Sequence, residues 1–129
     1  LSNLEIIQAL YEAFAGGRLE RVLDLVDPTC VIRQDEALPW GGRFDGFDGV
    51  ATFAARLGEN IHSTLVTREL YEAGDRVVQC GRSQGTVLAS GVTFDVPEVH
   101  VWTLHDKKVV TAEFYVESLP VLAALGTPS

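Results

Sequence analysis

From His62 to Glu117 the chain reads as strands in unbroken succession, and the joints between them have room only for turns. The β-rich runs are 62–72, 76–89, 93–105 and 108–117. They are separated by Ala73-Gly74-Asp75, Ser90-Gly91 and Asp106-Lys107. Joints this short force consecutive strands into antiparallel hairpins. A sheet built this way buries one face, and the residues that cover it must come from the preceding part of the chain.

That part reads as helical. Ser2 and Glu5 have capping-box spacing. Leu4, Ile7, Leu10, Tyr11 and Phe14 follow at helical intervals until Gly16-Gly17 breaks the pattern. A second stripe, Leu19, Val22, Leu23 and Val26, runs to Pro28. Residues 29–35 read as a strand, and 36–46 as a Gly- and Pro-bearing loop with aromatics that pack on something. Phe47, Val50, Phe53, Ala54 and Leu57 mark a third helix ending near Gly58, and 119–125 a short terminal helix before Gly126. The expected architecture is therefore α+β, with three helices packed on one curved antiparallel sheet. The sheet must curl to cover the helices, which leaves a conical hollow between the layers.

The length of 129 residues suits a single domain, 1–129, with one core. Apolar residues make up 47% and charged residues 22%, a globular composition rather than a disordered one. The net charge of −8 opposes binding to phosphate backbones and to anionic membranes. No apolar run approaches the roughly 18 residues of a spanning helix, and the first residues carry no basic-then-apolar leader. The expectation is a cytoplasmic protein with no nucleic-acid or membrane partner. Cys30 and Cys80 are too few for a disulfide framework and read as reduced thiols packed like small hydrophobes. No metal-ligand spacing, phosphate loop or nucleophile elbow occurs, so no metal or cofactor is expected. His62 and His105 look ordinary.

The chemistry concentrates in 94–104. Alternation along a strand sets Phe94, Val96, Glu98, His100, Trp102 and Leu104 on one face. An acid and an imidazole thus stand on an otherwise apolar wall, roughly 7 Å apart along the strand, close enough to meet or to share a ligand. An apolar wall lowers the pKa of an imidazole and a nearby carboxylate raises it. Both leave His100 suited to acid–base work near neutral pH. The plainer alternative is a hydrogen-bonded pair that only satisfies itself.

Several strings resemble the NTF2-like superfamily, and within it the SnoaL-like and ketosteroid isomerase-like group. They are Tyr11-Glu12-Ala13-Phe14 with Gly17; Leu38-Pro39-Trp40-Gly41-Gly42 with Phe44-Asp45-Gly46, Gly49-Val50 and Phe53; Gly74-Asp75-Arg76-Val77-Val78; and Gly91, His100-Val101-Trp102-Thr103 and Phe114-Tyr115. The likeness covers nearly the whole chain. It implies an NTF2-like (cystatin-like) cone with a deep apolar cavity, often dimeric through the outer sheet face. Carried over, it sets Glu98, His100, Trp102, Ala112, Phe114 and Val116 inside, and Val99, Val101, Thr103, Thr111 and Tyr115 outside. The outward set is itself fairly apolar, as a subunit interface would be. Two departures stand out: the last turn reads Asp106-Lys107-Lys108 where the group carries Asp-Gly-Lys, and the tail reads Tyr115-Val116-Glu117 rather than Tyr-x-Asp.

Against the ketosteroid isomerases, His100 falls where they place a protonated acid. Their general base maps to Gln34, with Asp35 and Glu36 just beyond, and their oxyanion tyrosine maps to Leu10, with Tyr11 off by one. Steroid isomerisation as such is unsupported. The resemblance implies instead a small-molecule-binding protein that acts, if it is an enzyme, as a cofactor-free isomerase, cyclase or dehydratase on an apolar oxygenated substrate. In that reading His100 shuttles the proton and Glu98 orients it, or Glu98 is the raised-pKa acid with His100 as donor, and Asp35 is either a base at the cavity mouth or a solvated strand-end charge. Arg33, on the face of Asp35, either pairs with it or holds an anionic substrate. Trp40 lids the cavity or plugs the core. Phe14, Phe114 and Val116 line the pocket, Trp102 lines its wall either as packing or as ligand contact, and Tyr11 either donates from its hydroxyl into it or points its tip at the surface. The other function class is a non-catalytic ligand-binding or association module.

Overall fold

The computed structural model describes residues 1–126. The first helix, α1 (Asn3–Ala15), is capped as its sequence dictates: Ser2 Oγ accepts the Glu5 amide and Glu5 Oε1 accepts the Ser2 amide. It buries Ile6, Ile7, Leu10 and Ala13 and leaves Tyr11 and Phe14 half-buried. The second, α2 (Leu19–Leu25), stops earlier than its apolar stripe suggests. Val26 is already extended and opens β1 (Val26–Gln34), pairing with Val109. Pro28 disfavours a helical Asp27. It has no amide to contribute to a ladder, and it sits in the stretch between Val26 and Val31 where the β1 register is irregular.

The expected loop at 36–46 holds a strand instead, β2 (Gly42–Asp45), which folds back on β1 with Ile32 opposite Phe44. The turn between them is tight. A side chain at Gly41 would bring its Cβ within 1.7 Å of the Asp35 carbonyl oxygen, so only glycine fits. The third helix, α3 (Gly46–Asn60), runs two residues past Gly58 and buries Val50 and Phe53.

Strands β3 (Ile61–Ala73), β4 (Arg76–Val87), β5 (Thr93–His105) and β6 (Lys108–Val116) form the meander read from the sequence. The last turn achieves positive φ without glycine, at Asp106 (48°) and Lys107 (65°). The terminal helix α4 (Ser118–Leu125) ends on left-handed Gly126 and packs on β5.

The six strands are ordered β2-β1-β6-β5-β4-β3 in one curved, unclosed sheet. Its pairing is mixed rather than all antiparallel, because β1 joins β6 in parallel. That junction is not a hairpin: the chain leaves β1 and returns beside it only after α3 and the whole meander. The core packs the inner sheet face against the helices. No helix among the described residues is long and apolar enough to cross a membrane.

Candidate functional site

Register brings the chemistry together. On the inner face of the sheet one row sets Leu70, Gln79, His100, Phe114 and Gln34 side by side, and the next sets Thr67, Gly81, Glu98 and Val116. From the helix layer α1 lowers Tyr11 onto these rows. The Tyr11 hydroxyl lies 2.8 Å from His100 Nδ1 and 2.8 Å from Trp102 Nε1. His100 Nε2 lies 3.2 Å from Glu98 Oε2. Trp102, Tyr11, His100 and Glu98 therefore form one polar line through an aromatic wall. Phe114 packs against it, 4.5 Å from the His100 ring and 5.3 Å from Trp102 between centroids. The stack continues through Phe53 to Phe44.

The line is nearly dry. The Glu98 side chain is 1% exposed and that of His100 14%. Burial disfavours charge on both: it raises the Glu98 carboxyl above the usual carboxylate range, only partly offset by the Gln79 amide, and pushes His100 down to about 3. Tyr11 is raised as well, first by burial and further by the charge of Glu98, although the Trp102 N–H works the other way. Both Glu98 oxygens, and Oε1 of fully buried Gln79, lack hydrogen-bond partners. Gln79 Nε2 donates to Thr67 Oγ1 at 3.0 Å.

The remaining sequence candidates fall elsewhere. Phe14, Trp102 and Phe114 do line an interior void, with Leu10 and Ile32 among its other walls, but it measures only about 10 Å³, room for one water. Where these walls meet, side chains leave only this small void and not the deep hollow expected between the layers. Val116 stands beside Glu98, half-buried. Trp40 is 3% exposed and belongs to the core. Asp35 lies outside the line. It is exposed, in the β1–β2 turn, and bonds to Ser118 and to the Ala37 amide hold its carboxyl below the usual range. Arg33 does not pair with it. Alternation turns Ile32 inward and Arg33 outward, beside Glu113 and near Tyr115 on the outer face. Cys30 is buried and Cys80 half-buried, both as free thiols.

Sequence reading missed Gln79 and Thr67. A lone Gln among Val77, Gly81 and Ser83 is a faint signal, and Thr67 comes within its reach at a register shift between Thr67 and Glu69 that no local pattern announces. Counting without gaps favoured Leu10 over Tyr11. The helix turns Leu10 into the core and leaves Tyr11 to meet the imidazole.

The fold has close counterparts among solved structures. An NTF2-like protein of unknown function from Burkholderia pseudomallei superposes with a TM-score of 0.89 at 25% identity, over 97% of this chain and 98% of that one. TerC, co-crystallised with polyporic acid, superposes at 0.88 with 29% identity and the same coverage. A protein of ketosteroid isomerase-like fold from Catenulispora acidiphila, in complex with trimethylamine, superposes at 0.81 with 21% identity, over 96% of this chain and 94% of that one. Comparison with the curated proteins returns no match. Residues 7–112 match the SnoaL-like domain across the helix layer and most of the sheet, so the chain belongs to the SnoaL-like family on an NTF2-like fold.

Proposed function

We propose that this protein binds an apolar, oxygenated small molecule and acts on it by cofactor-free acid–base chemistry, as an isomerase, cyclase or dehydratase. The observation that carries this reading is the buried line from Trp102 to Glu98, whose two carboxyl oxygens have no hydrogen-bond partner. Buried polar groups are seldom left unpaired for stability alone, and titratable groups shifted by burial cluster at working sites. His100 and Glu98 exchange the proton. Tyr11 and Trp102 hold the imidazole, Phe14, Phe114 and Val116 supply apolar contact, and Trp40 keeps water out. Asp35 and Arg33 have no part in it. A ligand larger than water must displace side chains to enter, since the interior void is about 10 Å³.

That filled interior supports a second reading, a non-catalytic module. Titration of tryptophan fluorescence with polyporic acid, the compound carried by TerC, separates the two. The acid–base reading expects saturable quenching that His100→Ala and Glu98→Gln weaken at least tenfold while the melting temperature holds. No quenching of the wild-type protein favours the module, and a His100→Ala variant that unfolds makes the residue structural.

The working unit in this proposal is a cytoplasmic homodimer joined through the outer sheet face. Val99, Val101, Thr103 and Thr111 are only half-buried there and Tyr115 is 56% exposed, an apolar face of the kind subunits cover. Light scattering is expected to give twice the chain mass, and Val101→Glu to halve it.

A further inference from the structure

The inner line has a direction. The Trp102 indole can only donate, so the Tyr11 oxygen accepts from it and turns its own O–H to His100 Nδ1. Nδ1 then accepts, which places the ring proton on Nε2, facing Glu98 Oε2. At the far end Gln79 Nε2 donates to Thr67 Oγ1, which leaves the amide oxygen without a donor. Two carboxyl oxygens and one amide oxygen, all acceptors, are thus buried together on neighbouring strands. Among the described residues no Lys or Arg shifts Glu98. The titratable groups that face it are His100 on its own strand and Tyr11 from α1. The strands beside it present Gln79 and Gly81 (β4), Thr67 (β3) and Val116 and Phe114 (β6), and α4 carries no ionisable side chain.

We propose that Glu98 carries a proton at neutral pH and donates it to Gln79 Oε1, which makes Gln79, anchored by Thr67, a positioning residue for the Glu98–His100 pair. One added proton then links two hydrogen-bonded ends, Trp102 to Tyr11 to His100 on one side and Glu98 to Gln79 to Thr67 on the other, with the His100 Nε2 proton turned toward Glu98 Oε2 across the 3.2 Å contact. Gly81 stands between Thr67 and Glu98 in their row, where a Cβ would fall 2.1 Å from the Val66 carbonyl oxygen of β3, so only glycine fits there. The inference deepens the acid–base reading and rests on it for its functional meaning: the resting site holds a neutral acid beside a neutral imidazole, ready to protonate a ligand oxygen, and with no cation to hold an anion. Its physical content needs no ligand, so its test stands apart from the fluorescence titration.

The test is an infrared difference spectrum between wild type and Glu98→Gln in D₂O at pH 7, with circular dichroism as the control for folding. The expected result is a protonated-carboxyl carbonyl band present in the wild type and absent in the variant. Gln79→Leu is expected to move that band to higher frequency, as loss of an acceptor does. Gln79→Met, closer in shape, repeats the shift should the leucine variant fail to fold, and Thr67→Val produces a smaller shift in the same direction. Absence of the band overturns the proposal: Glu98 is then ionised and takes an N–H from a Gln79 amide turned the other way. A band that neither Gln79 variant moves overturns the positioning role.

Discussion

Asp95 and Glu98 lie three residues apart on β5 and face opposite ways, and their chemistry is correspondingly opposed. Asp95, on the outer face, meets Arg82 Nε at 2.6 Å and Gln84 Nε2 at 3.2 Å, and the guanidinium holds its carboxyl below the usual range. Glu98, on the inner face, is 1% exposed and meets no cation among the described residues, and burial drives its carboxyl the other way. The outer pair is solvated and ionised, a contact of the kind that adds little to stability. The inner pair is kept neutral, because burial without a cation disfavours charge on both groups. One strand thus presents two acids, and the face of the sheet, not the residue type, decides which of them is held ready to change its proton.

The largest effect that sharpens this contrast is expected from Trp102→Ala. It removes a side chain that both packs the wall and starts the polar line, next to a void too small to absorb the loss. Urea denaturation is expected to show about 3–5 kcal/mol of destabilisation. A loss below about 1 kcal/mol would mean the inner face collapses freely and imposes no order on its polar groups. Tyr11→Phe comes next. It removes the hydroxyl that the indole N–H and His100 Nδ1 both bond, at a cost of about 1–3 kcal/mol, and nitrogen NMR of the imidazole is expected to show the tautomer preference relaxing.

The third prediction concerns pH. His100 is lowered in the folded state to about 3 from an ordinary 6.5. The unfolded chain therefore binds the extra proton first, and stability falls as pH drops from 6.5 toward 3. Glu98 is raised from 4.5. The folded state there binds the extra proton, so its contribution is fully present below 4.5 and is lost as pH rises through the raised value. Between 4.5 and the raised value of Glu98 the two slopes oppose, and the wild type is expected to be flatter there than a variant without the carboxyl. Glu98→Gln removes one of them and should lose up to about 1.4 kcal/mol per pH unit on acidification. A wild type as steep as the variant would show that Glu98 is ordinary. The smallest effect is expected on the other face: Arg82→Ala should leave the thermal midpoint where it is, and a clear drop would erase the distinction between the faces.

Most of the fold was legible because it is local. Turn residues at 73–75, 90–91 and 106–107 delimit the meander, and helical spacing marks α1 and α3. Glu98 and His100 on an apolar strand face were visible for the same reason, since alternation is a local rule. What stayed hidden depends on partners distant in sequence. β2 forms only because β1 offers it an edge, and the parallel β1–β6 junction has no signature in either strand. Tyr11 reaches His100 across 89 positions. The absence of the hollow follows from how side chains of α1, α2, α3 and the sheet interdigitate, a matter of volumes that periodicity does not measure.

The parallel junction has a further consequence for how the chain assembles. Val31 pairs with Thr111 and Arg33 with Glu113, so the parallel ladder that seats β1 is complete only after β6 has been made. The β1–β2 and β3–β5 hairpins close from neighbours in sequence, while the other edge of β1 waits for β6. Non-local closure of this kind slows folding, and it places the docking of β1 on the finished meander among the last steps to the native state.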